Sequence, residues 1–271
     1  MITSPANEQV KRIRRLQERK EREKTGLFFV EGIRIVAEAV DRQESFESVI
    51  VSPERLQSEY AWKLVEKLRR QGVSILEVSS LVFERISQKE GPQGIAAVVH
   101  QRWLPLDSVV VEEGKTWVAL DSVADPGNLG TILRTLDATG GAGVILLDQS
   151  TDPYDPSCVR ASMGALFDLH LVRASFNQFR NWMKQHSDVA LIGTSGTAHQ
   201  DYHDFVYPTR MILLMGSERL GLQPHHVELC DEMVRIPMVG KSDSLNLAVA
   251  TAVVLYEIFN QRRQNFSGAV P

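Results

Sequence analysis

Two polar side chains, Asn128 and Arg134, follow an apolar run typical of a buried strand. The run TWVALD ends at Asp121, and the residues DPGNLG after it carry the turn and capping signals that begin a helix. We expect a helix over about 127–139, with Asn128 as its capping residue and Arg134 within its first two turns. A helix amino end beside an arginine is an arrangement that binds anions. The alternative is an ordinary crossover helix with a surface arginine.

Two further segments place polar groups beside a glycine or a helix start. In MILLMGSERLG an apolar strand runs into Gly216, and the Glu218 carboxylate follows two residues later. We expect Gly216 to leave room for a ligand against the backbone, and Glu218 to orient an arginine or accept a hydrogen bond; a tight strand–helix connection is the alternative. In VRIPMVGKSDSLN, Ser244 and Asn246 stand at the start of an apolar helix that we expect to be buried. Small polar residues beside such a helix indicate a functional site.

The elements that must position these groups form an α/β unit. The second half of the chain predicts strands at TWVALDS, GVILLD, DVALIGTSG, MILLMGSE and MVRIPM. They alternate with helices over about 127–139, 156–166, 175–186, 222–230 and 244–262. Because the strands are apolar from end to end, we expect both of their faces to be buried in a mostly parallel sheet. Ligands of such sheets bind beyond the carboxyl ends of the strands, which is where all three polar segments lie.

The first half of the chain predicts a second, smaller α/β domain. A polar helix from Ser4 to about Lys24 precedes strands and helices that alternate over a unit of about 100 residues. Residues 100–115 break that alternation with a tryptophan, a proline and a Glu-Glu-Gly. We therefore expect one domain over 1–103 and another over 110–271.

The charge of the chain is unevenly distributed. The 271 residues carry a formal net charge of −4, yet residues 1–24 hold eight basic and four acidic side chains, which gives that segment a charge of +4. Such a segment is typical of a phosphate-binding patch. The arginines that we expect to make these contacts are Arg12, Arg14, Arg15 and Arg19. A solvated helix with i,i+4 ion pairs, such as Glu18 with Arg22, is the alternative.

Several protein classes are excluded by what the sequence lacks. No apolar run approaches the roughly 20 residues that cross a bilayer, and the amino-terminal segment lacks a signal peptide's apolar core. Two cysteines, Cys158 and Cys230, provide no disulfide framework, so we expect a cytoplasmic protein without membrane contact, in which both pack as small apolar groups. Neither G-x-G-x-x-G after a first strand nor a Walker motif is present, which disfavours a nucleotide-dependent oxidoreductase. His199 and His203 lack the glutamate of H-E-x-x-H, and we expect no metal.

Taken together, the polar segments resemble the motifs of the SpoU/TrmH branch of the SPOUT RNA methyltransferases. The three matches are Asn128-x-Gly130-x-x-x-Arg134-Thr135, Gly216-Ser217-Glu218-x-x-Gly221, and Ile236-Pro237-Met238-x-Gly240 with Ser244-Leu245-Asn246. VRASMGALF over 159–167 is similar to a segment that lies between the first two motifs. The resemblance covers about residues 115–262. In the first half, FVEG over 29–32 and QGI over 93–95 resemble the ribosomal-protein-like RNA-binding domain often fused to this branch.

The resemblance implies a fold, a cofactor and an assembly. The carboxyl part of the sheet would be threaded into a deep trefoil knot, an exception to the rule that folds are unknotted. The protein would be a homodimer in which Arg134 of one subunit completes the site of the other. S-adenosylmethionine would lie in the knot, held by Thr194, Gly216, Ile236, Met238 and Leu245. The residues implied for catalysis or RNA contact are Asn128, Arg134, Glu218, Ser244 and Asn246.

The implied reaction is methylation of a ribose 2′-hydroxyl in structured RNA. Because the sulfonium already supplies a good leaving group, such an enzyme must align the hydroxyl and favour the developing alkoxide. Arginine stays protonated, so Arg134 suits charge stabilisation and phosphate binding rather than proton abstraction. The amino-terminal domain could bind a folded loop of the RNA, which favours 23S-type ribosomal RNA as the substrate over the alternative, transfer RNA. A non-catalytic RNA-binding protein of this fold is the remaining alternative, and the retained Arg134, Glu218 and Asn246 argue against it.

Overall fold

In the computed structural model, residues 1–267 are described, with side chains to Gln264, and they divide into two compact units. The first unit comprises Met1–Arg102 together with Asp152–Asp168. The second comprises Trp103–Thr151 and the described residues from Leu169 onward. The segment Asp152–Asp168, which its position in the chain assigned to the second domain, thus packs with the first unit.

The first unit contains a four-stranded sheet with helices. Its strands are β1 (Leu27–Glu31), β2 (Phe46–Val51), β3 (Ser74–Glu77) and β4 (Ile95–His100). Its first five helices are α1 (Glu8–Arg15), α2 (Arg19–Thr25), α3 (Ile33–Asp41), α4 (Glu59–Arg70) and α5 (Ser80–Ile86). The strand order is β1-β4-β2-β3, in which β4 is antiparallel to both of its neighbours and β2 and β3 are parallel.

The predicted polar helix at the amino end is two helices. α1 is capped by Asn7 rather than by Ser4, since the Asn7 side chain accepts the backbone N–H two residues later at 2.9 Å. The interruption follows from Arg22, which is 1% exposed and donates to two carbonyl oxygens just after α1 at 2.9 and 2.8 Å. Its Nε also donates to Asp152 at 2.7 Å. Arg22 therefore pairs in the interior and not with Glu18 at the surface.

The second unit is built on a seven-stranded sheet. Its strands are β5 (Thr116–Asp121), β6 (Gly143–Leu147), β7 (His170–Ala174), β8 (Ala190–Thr194), β9 (Gln200–Asp201), β10 (Met211–Met215) and β11 (Glu232–Arg235). The remaining helices are α6 (Pro126–Ala138), α7 (Pro156–Ser162), α8 (Phe176–Gln185), α9 (Pro224–Val227) and α10 (Leu247–Ser267), of which α7 belongs to the first unit. The order is β7-β6-β5-β10-β8-β11-β9, and every neighbouring pair is parallel. The predicted α/β class with a mostly parallel sheet is confirmed.

Two strands of this sheet were not predicted from the sequence. β7 lies at the sheet edge and has two exposed residues, His170 and Arg173, among its five, so it lacks the continuous apolar run of the central strands. β9 has only two residues, Gln200 and Asp201, both polar. The central strands β5, β6 and β10 are buried throughout, as expected for strands covered on both faces.

Both cysteines are free and pack as apolar groups, as predicted. Cys158 is fully buried, and burial raises the pKa of its thiol well above the usual range. Cys230 packs against the core of the second unit, and burial raises its pKa to about 12. No helix in the described part of the chain is long and apolar enough to cross a membrane.

Candidate active site

The first and second polar segments meet at the carboxyl ends of two neighbouring strands. β5 and β10 are parallel, and Leu120 of β5 is paired with Met215 of β10. α6 begins soon after β5, and its cap is Asp125, whose carboxylate accepts the N–H of Asn128 at 2.7 Å. The prediction that Asn128 itself caps this helix was therefore wrong. Because Asp125 does so, the Asn128 side chain is available for other partners.

The Glu218 carboxylate is the anchor for the turn before α6. It accepts the N–H groups of Ala124 at 3.1 Å and Asp125 at 3.4 Å, and the side-chain amide of Asn128 at 3.2 Å. Partial burial raises the pKa of Glu218, but the donated hydrogen bonds lower it further, so that the net shift is downward. Glu218 is thus an ionised acceptor at neutral pH, and its partners are amides rather than an arginine.

Asn246 connects the third segment to the other two. Its side-chain Nδ2 donates to Oδ1 of Asn128 at 3.0 Å, while its own Oδ1 accepts the N–H groups of Ala248 at 2.9 Å and Val249 at 3.3 Å. Asn246 therefore caps the amino end of α10. The chain Glu218–Asn128–Asn246 fixes both amide orientations, because each oxygen faces a donor and each Nδ2 faces an acceptor.

A cavity of about 630 Å³ opens at the carboxyl ends of β8, β10 and β11. The five predicted cofactor residues, Thr194, Gly216, Ile236, Met238 and Leu245, all line it. Of the predicted catalytic residues, Glu218, Ser244 and Asn246 line it as well, whereas Asn128 and Arg134 do not. Its volume falls within the usual range for small-molecule and cofactor sites.

The lining of this cavity fits S-adenosylmethionine. Several apolar side chains are left exposed around it, among them Leu220 at 73%, Met238 at 37% and Leu245 at 38%. Such side chains suit a flat apolar base, and their exposure indicates a surface that a ligand covers. The charged residues of the lining are Glu218, Asp243 and Arg219, and two carboxylates against one guanidinium leave a negative charge that suits a cation. The charge and polarity of the lining therefore match a sulfonium attached to an adenosine.

Gly216 lines the cavity, and it is also required by the tight connection that was the alternative for this segment. A Cβ atom at this position would overlap the backbone of Gly221 and Leu222, so the glycine allows the loop after β10 to close on itself. That closure is supported by a hydrogen bond from the N–H of Gly221 to the carbonyl of Ser217 at 3.0 Å. Gly216 thus shapes the cavity wall by close backbone packing.

Arg134 lies apart from this cavity within one chain. It is the ninth residue of α6, in the third turn rather than the first two. Since it follows Asn128 by six residues, its side chain leaves the helix about 120° around the axis from that of Asn128. Arg134 is exposed and makes no hydrogen bond or ion pair with another residue in the described part of the chain.

The four predicted phosphate-binding arginines are on α1 and α2 of the first unit. Arg12, Arg14 and Arg15 are exposed. Arg19 is also exposed and pairs with Glu23 at 2.9 Å, which is the i,i+4 arrangement of the solvated-helix alternative. Arg12 and Arg14 are therefore presented to solvent without a carboxylate partner among the residues described, whereas the charge of Arg15 helps to lower the pKa of Glu8.

Sequence reasoning missed a buried histidine–aspartate pair in the second unit. His226 is 2% exposed; its Nδ1 accepts the N–H of Gln223 at 3.0 Å, and its Nε2 lies 3.7 Å from Asp121 at the end of β5. Burial lowers the pKa of His226, and the nearby Asp121 charge opposes that shift only in part. No motif marks this pair, since α9 is a single turn remote in sequence from β5. Within residues 1–267, no group of three side chains is arranged to hold a metal ion.

Comparison with known protein families yields two matches that together cover most of the chain. Residues 115–256 match the SpoU rRNA Methylase family. Residues 7–97 match the MRM3-like substrate binding domain.

Individual relatives match along nearly the whole chain. A 23S rRNA (uridine(2479)-2'-O)-methyltransferase from Streptomyces viridochromogenes is 33% identical over 94% of this chain and 90% of its own length. The 23S rRNA (guanosine(2553)-2'-O)-methyltransferase RlmP of Bacillus subtilis is 30% identical over 95% of this chain and 98% of its own. The crystal structure of an AdoMet-bound rRNA methyltransferase from Sinorhizobium meliloti has a TM-score of 0.88, with 36% identity and coverage of 97% of both chains.

Proposed function

The chain belongs to the SpoU rRNA methylase family, and we propose that it transfers a methyl group from S-adenosylmethionine to a ribose 2′-hydroxyl of 23S ribosomal RNA. The observation that carries this proposal is the cavity at the strand ends, where all five residues implied for cofactor binding converge. The relatives named for 23S rRNA 2′-O-methylation match both units of the chain, which favours ribosomal RNA as the substrate.

Separate groups of residues bind the cofactor and position the loops around it in this proposal. S-adenosylmethionine supplies, when bound, a methyl group on a sulfonium that is a good leaving group. Gly216 and Ile236 of the strand-end loops, Thr194 at the end of β8, and the apolar Met238 and Leu245 would hold it, since all five line the cavity. The hydrogen bonds from Asn128 to Glu218 and from Asn246 to Asn128 connect these loops to the start of α6.

The reaction itself requires an aligned nucleophile. The bond from the ribose O2′ to the methyl carbon would form as the carbon–sulfur bond breaks, S-adenosylhomocysteine would leave, and the hydroxyl proton would pass to water. We assign Arg134 to the phosphate beside that ribose and to the negative charge developing on O2′, since a guanidinium donates two parallel hydrogen bonds and stays charged. Ser244, at the cavity, holds the ribose in line.

The protein works as a homodimer in this proposal, with the partner subunit's Arg134 completing each site. Support comes from α10, which is apolar nearly all round over residues 247–259 but leaves some of these side chains exposed, so that it does not meet the expectation of complete burial within one chain. Val249 and Tyr256, seven residues apart on one face, are 49% and 47% exposed. α6, which carries Arg134, packs against α10. A second copy that covers the apolar side of α10 would bring an Arg134 toward the neighbouring cavity.

The first unit binds the RNA in this proposal, and its match to a substrate-binding domain supports that role. The exposed Arg12, Arg14 and Arg15, with Arg19 beside them, provide phosphate contacts whose strength falls with salt. A ribosomal RNA substrate would place the reaction in the cytoplasm.

We further propose that the carboxyl part of the second unit is threaded into a trefoil knot. The order β5-β10-β8-β11, in which neighbours are distant along the chain, supports it. The family resemblance of the three motifs supports it independently.

The experiment that tests the proposed function maps 2′-O-methylation in 23S ribosomal RNA from cells with and without this protein. We expect one nucleotide to lose its 2′-O-methyl group when the protein is absent and to regain it when the wild-type chain is restored. An unchanged methylation map would contradict the proposal.

A further inference from the structure

A second cavity, unrelated to the strand-end site, lies within the first unit. Its volume is about 150 Å³, and it is lined by residues of β1, α3 and α7 and of the segment between α5 and β4. Phe29, Ile35, Val159 and Met163 provide its apolar surface. Because it is small and largely apolar inside, it suits one flat ring system rather than a helix or an extended chain.

Cationic side chains surround this cavity. Arg34 on α3, Lys89 before β4 and Arg160 on α7 line it and are exposed. Lys89 donates to the carbonyl of Glu31 at 2.7 Å. The side chains of Arg34 and Arg160 have no carboxylate partner and no hydrogen bond among the described residues.

Six of the thirteen arginines of the unit form an ion pair with an aspartate or glutamate, namely Arg19, Arg22, Arg42, Arg55, Arg69 and Arg102. Arg34 and Arg160 are among the seven that form none with the described residues, and these two line the same cavity. Exposed cationic side chains without an ion-pair partner at one cavity indicate a binding site for an anion.

The one acidic residue of the lining does not neutralise these cations. Glu31 is 8% exposed, and its carboxylate accepts the hydroxyl of Ser87 and the N–H of Gln88 at 3.0 Å. The amide side chains of Gln88 and Gln93 complete the polar part of the lining. These amides can donate and accept hydrogen bonds at the edge of a base. RNA-binding proteins recognise unstacked nucleotides through such contacts.

We propose that this cavity receives one unstacked nucleotide of the RNA substrate, with its base against Ile35 and Val159 and its phosphates on Arg34 and Arg160. The proposal rests on the proposed function, since it assumes that the substrate is RNA. It adds a recognition site separate from the arginines of α1 and α2. An apolar interior under a cationic rim matches the two chemically different parts of a nucleotide.

The first test removes the rim charges in the full-length protein. Arg34→Ala with Arg160→Ala should raise the KM for 23S rRNA transcripts and flatten the dependence of binding on salt, by about 0.7 in log–log slope for each phosphate that is no longer neutralised. The affinity for S-adenosylmethionine should not change. The matched control is Lys67→Ala with Arg70→Ala, which removes the same charge from exposed positions of α4 and should leave the KM unchanged. Equal effects of the two double variants would overturn the proposal.

The second test fills the cavity without altering charge. Ile35→Phe should raise the KM for RNA at least about fivefold, because the larger side chain excludes the base from its stacking position, and should leave the salt slope unchanged. Retained S-adenosylmethionine binding and an unaltered melting temperature show that the variant is folded. A folded Ile35→Phe protein with the wild-type KM would overturn the proposal.

A third measurement uses the wild-type chain and so does not depend on any variant's folding. Irradiation at short ultraviolet wavelength links bases to the residues they touch, and we expect linked peptides to include 29–35 or 156–163. Linkage confined to 8–25 would overturn the inference while leaving the RNA substrate intact. If the wild-type protein neither binds nor methylates 23S rRNA, the proposed function fails and this inference fails with it.

Discussion

At the scale of single residues, the site is organised by hydrogen-bond direction. Glu218 can only accept, so Asn128 must turn its Nδ2 toward it, and Asn128 then presents its oxygen to Asn246. One carboxylate thereby fixes two amides that come from separate segments of the chain. These residues hold the segments of the site in place. In the proposed mechanism, Arg134 is the residue that stabilises the charge developing on O2′.

Glu218→Gln tests this organisation. The new amide would face backbone N–H donors, so we expect the free energy of unfolding at pH 7 to fall by about 1 kcal/mol. The folded protein lowers the pKa of Glu218 below its usual 4.5, so its stabilising effect is present above pH 4.5 and is lost as the pH falls through the lowered pKa. The difference between variant and wild type should therefore shrink in acid.

Denaturant titrations of Glu218→Gln at several pH values measure this difference. Glu228→Gln, at an exposed position in the same unit, is the control and should change little. A difference that stays constant below pH 4.5 would show that Glu218 does not act as an ionised anchor.

Arg134→Ala tests the proposed catalytic role. Loss of a preorganised donor to a developing oxyanion typically costs about 100-fold or more in kcat, and we expect a loss of that size. S-adenosylmethionine binding and folding should persist, because Arg134 lies outside the cavity and makes no hydrogen bond or ion pair within the described chain. Arg134→Lys should recover little, since an ammonium cannot reproduce the planar fork.

Single-turnover methyl transfer and calorimetry of cofactor binding separate the two effects of Arg134→Ala. Arg180→Ala, which removes an exposed arginine from α8, is the control. Full activity of Arg134→Ala would remove this residue from the mechanism.

At the scale of elements, one residue at the start of α10 both stabilises the helix and contacts the candidate site. Asn246 caps the helix and also holds Asn128. Asn246→Ala should cost about 1 kcal/mol for the missing cap and should in addition impair methyl transfer. Ser58→Ala removes the comparable cap of α4, so it should cost a similar amount without affecting transfer by the folded protein. If the two variants lost activity equally, the link between Asn246 and Asn128 would have no functional part.

The elements also show what sequence pattern can predict. Continuous apolar runs such as TWVALD and MILLM predict a strand that is buried on both faces. The glycines and polar residues after each run indicate where the strand ends. β7 escaped prediction because an edge strand with His170 and Arg173 exposed has no such run. The convergence of Thr194, Ile236 and Leu245 on one cavity followed from the resemblance, since spacing alone says nothing of which strands are neighbours.

A local contact and a long-range contact explain two remaining differences. The prediction of Asn128 as the cap missed a local signal, since Asp125 stands before a proline at the first helical position and its carboxylate reaches the N–H group three residues later. The polar helix at the amino end breaks because Arg22 pairs with Asp152, which lies 130 residues away. That second partner is not encoded within the segment itself.

At the scale of the whole molecule, the proposed dimer makes a prediction that single variants cannot. If the site combines Arg134 of one subunit with Asn246 of the other, then a mixed dimer of Arg134→Ala and Asn246→Ala chains contains one site with both wild-type residues. Equal mixing of two inactive proteins should restore about a quarter of wild-type activity, since half of the dimers are mixed and half of their sites are intact.

Two differently tagged chains, purified sequentially, isolate the mixed dimers and verify subunit exchange. Neither variant alone should show activity after the same treatment. Verified mixed dimers without activity would exclude a shared site and leave the cofactor cavity unaffected.

The most direct measurement of the central claim follows labelled methyl groups from S-adenosylmethionine into unmodified 23S rRNA transcripts. After complete digestion, we predict that the label is recovered in a single 2′-O-methylated nucleoside, and that transfer-RNA transcripts accept none. Recovery of the label in a methylated base, or transfer to transfer RNA alone, would contradict the account.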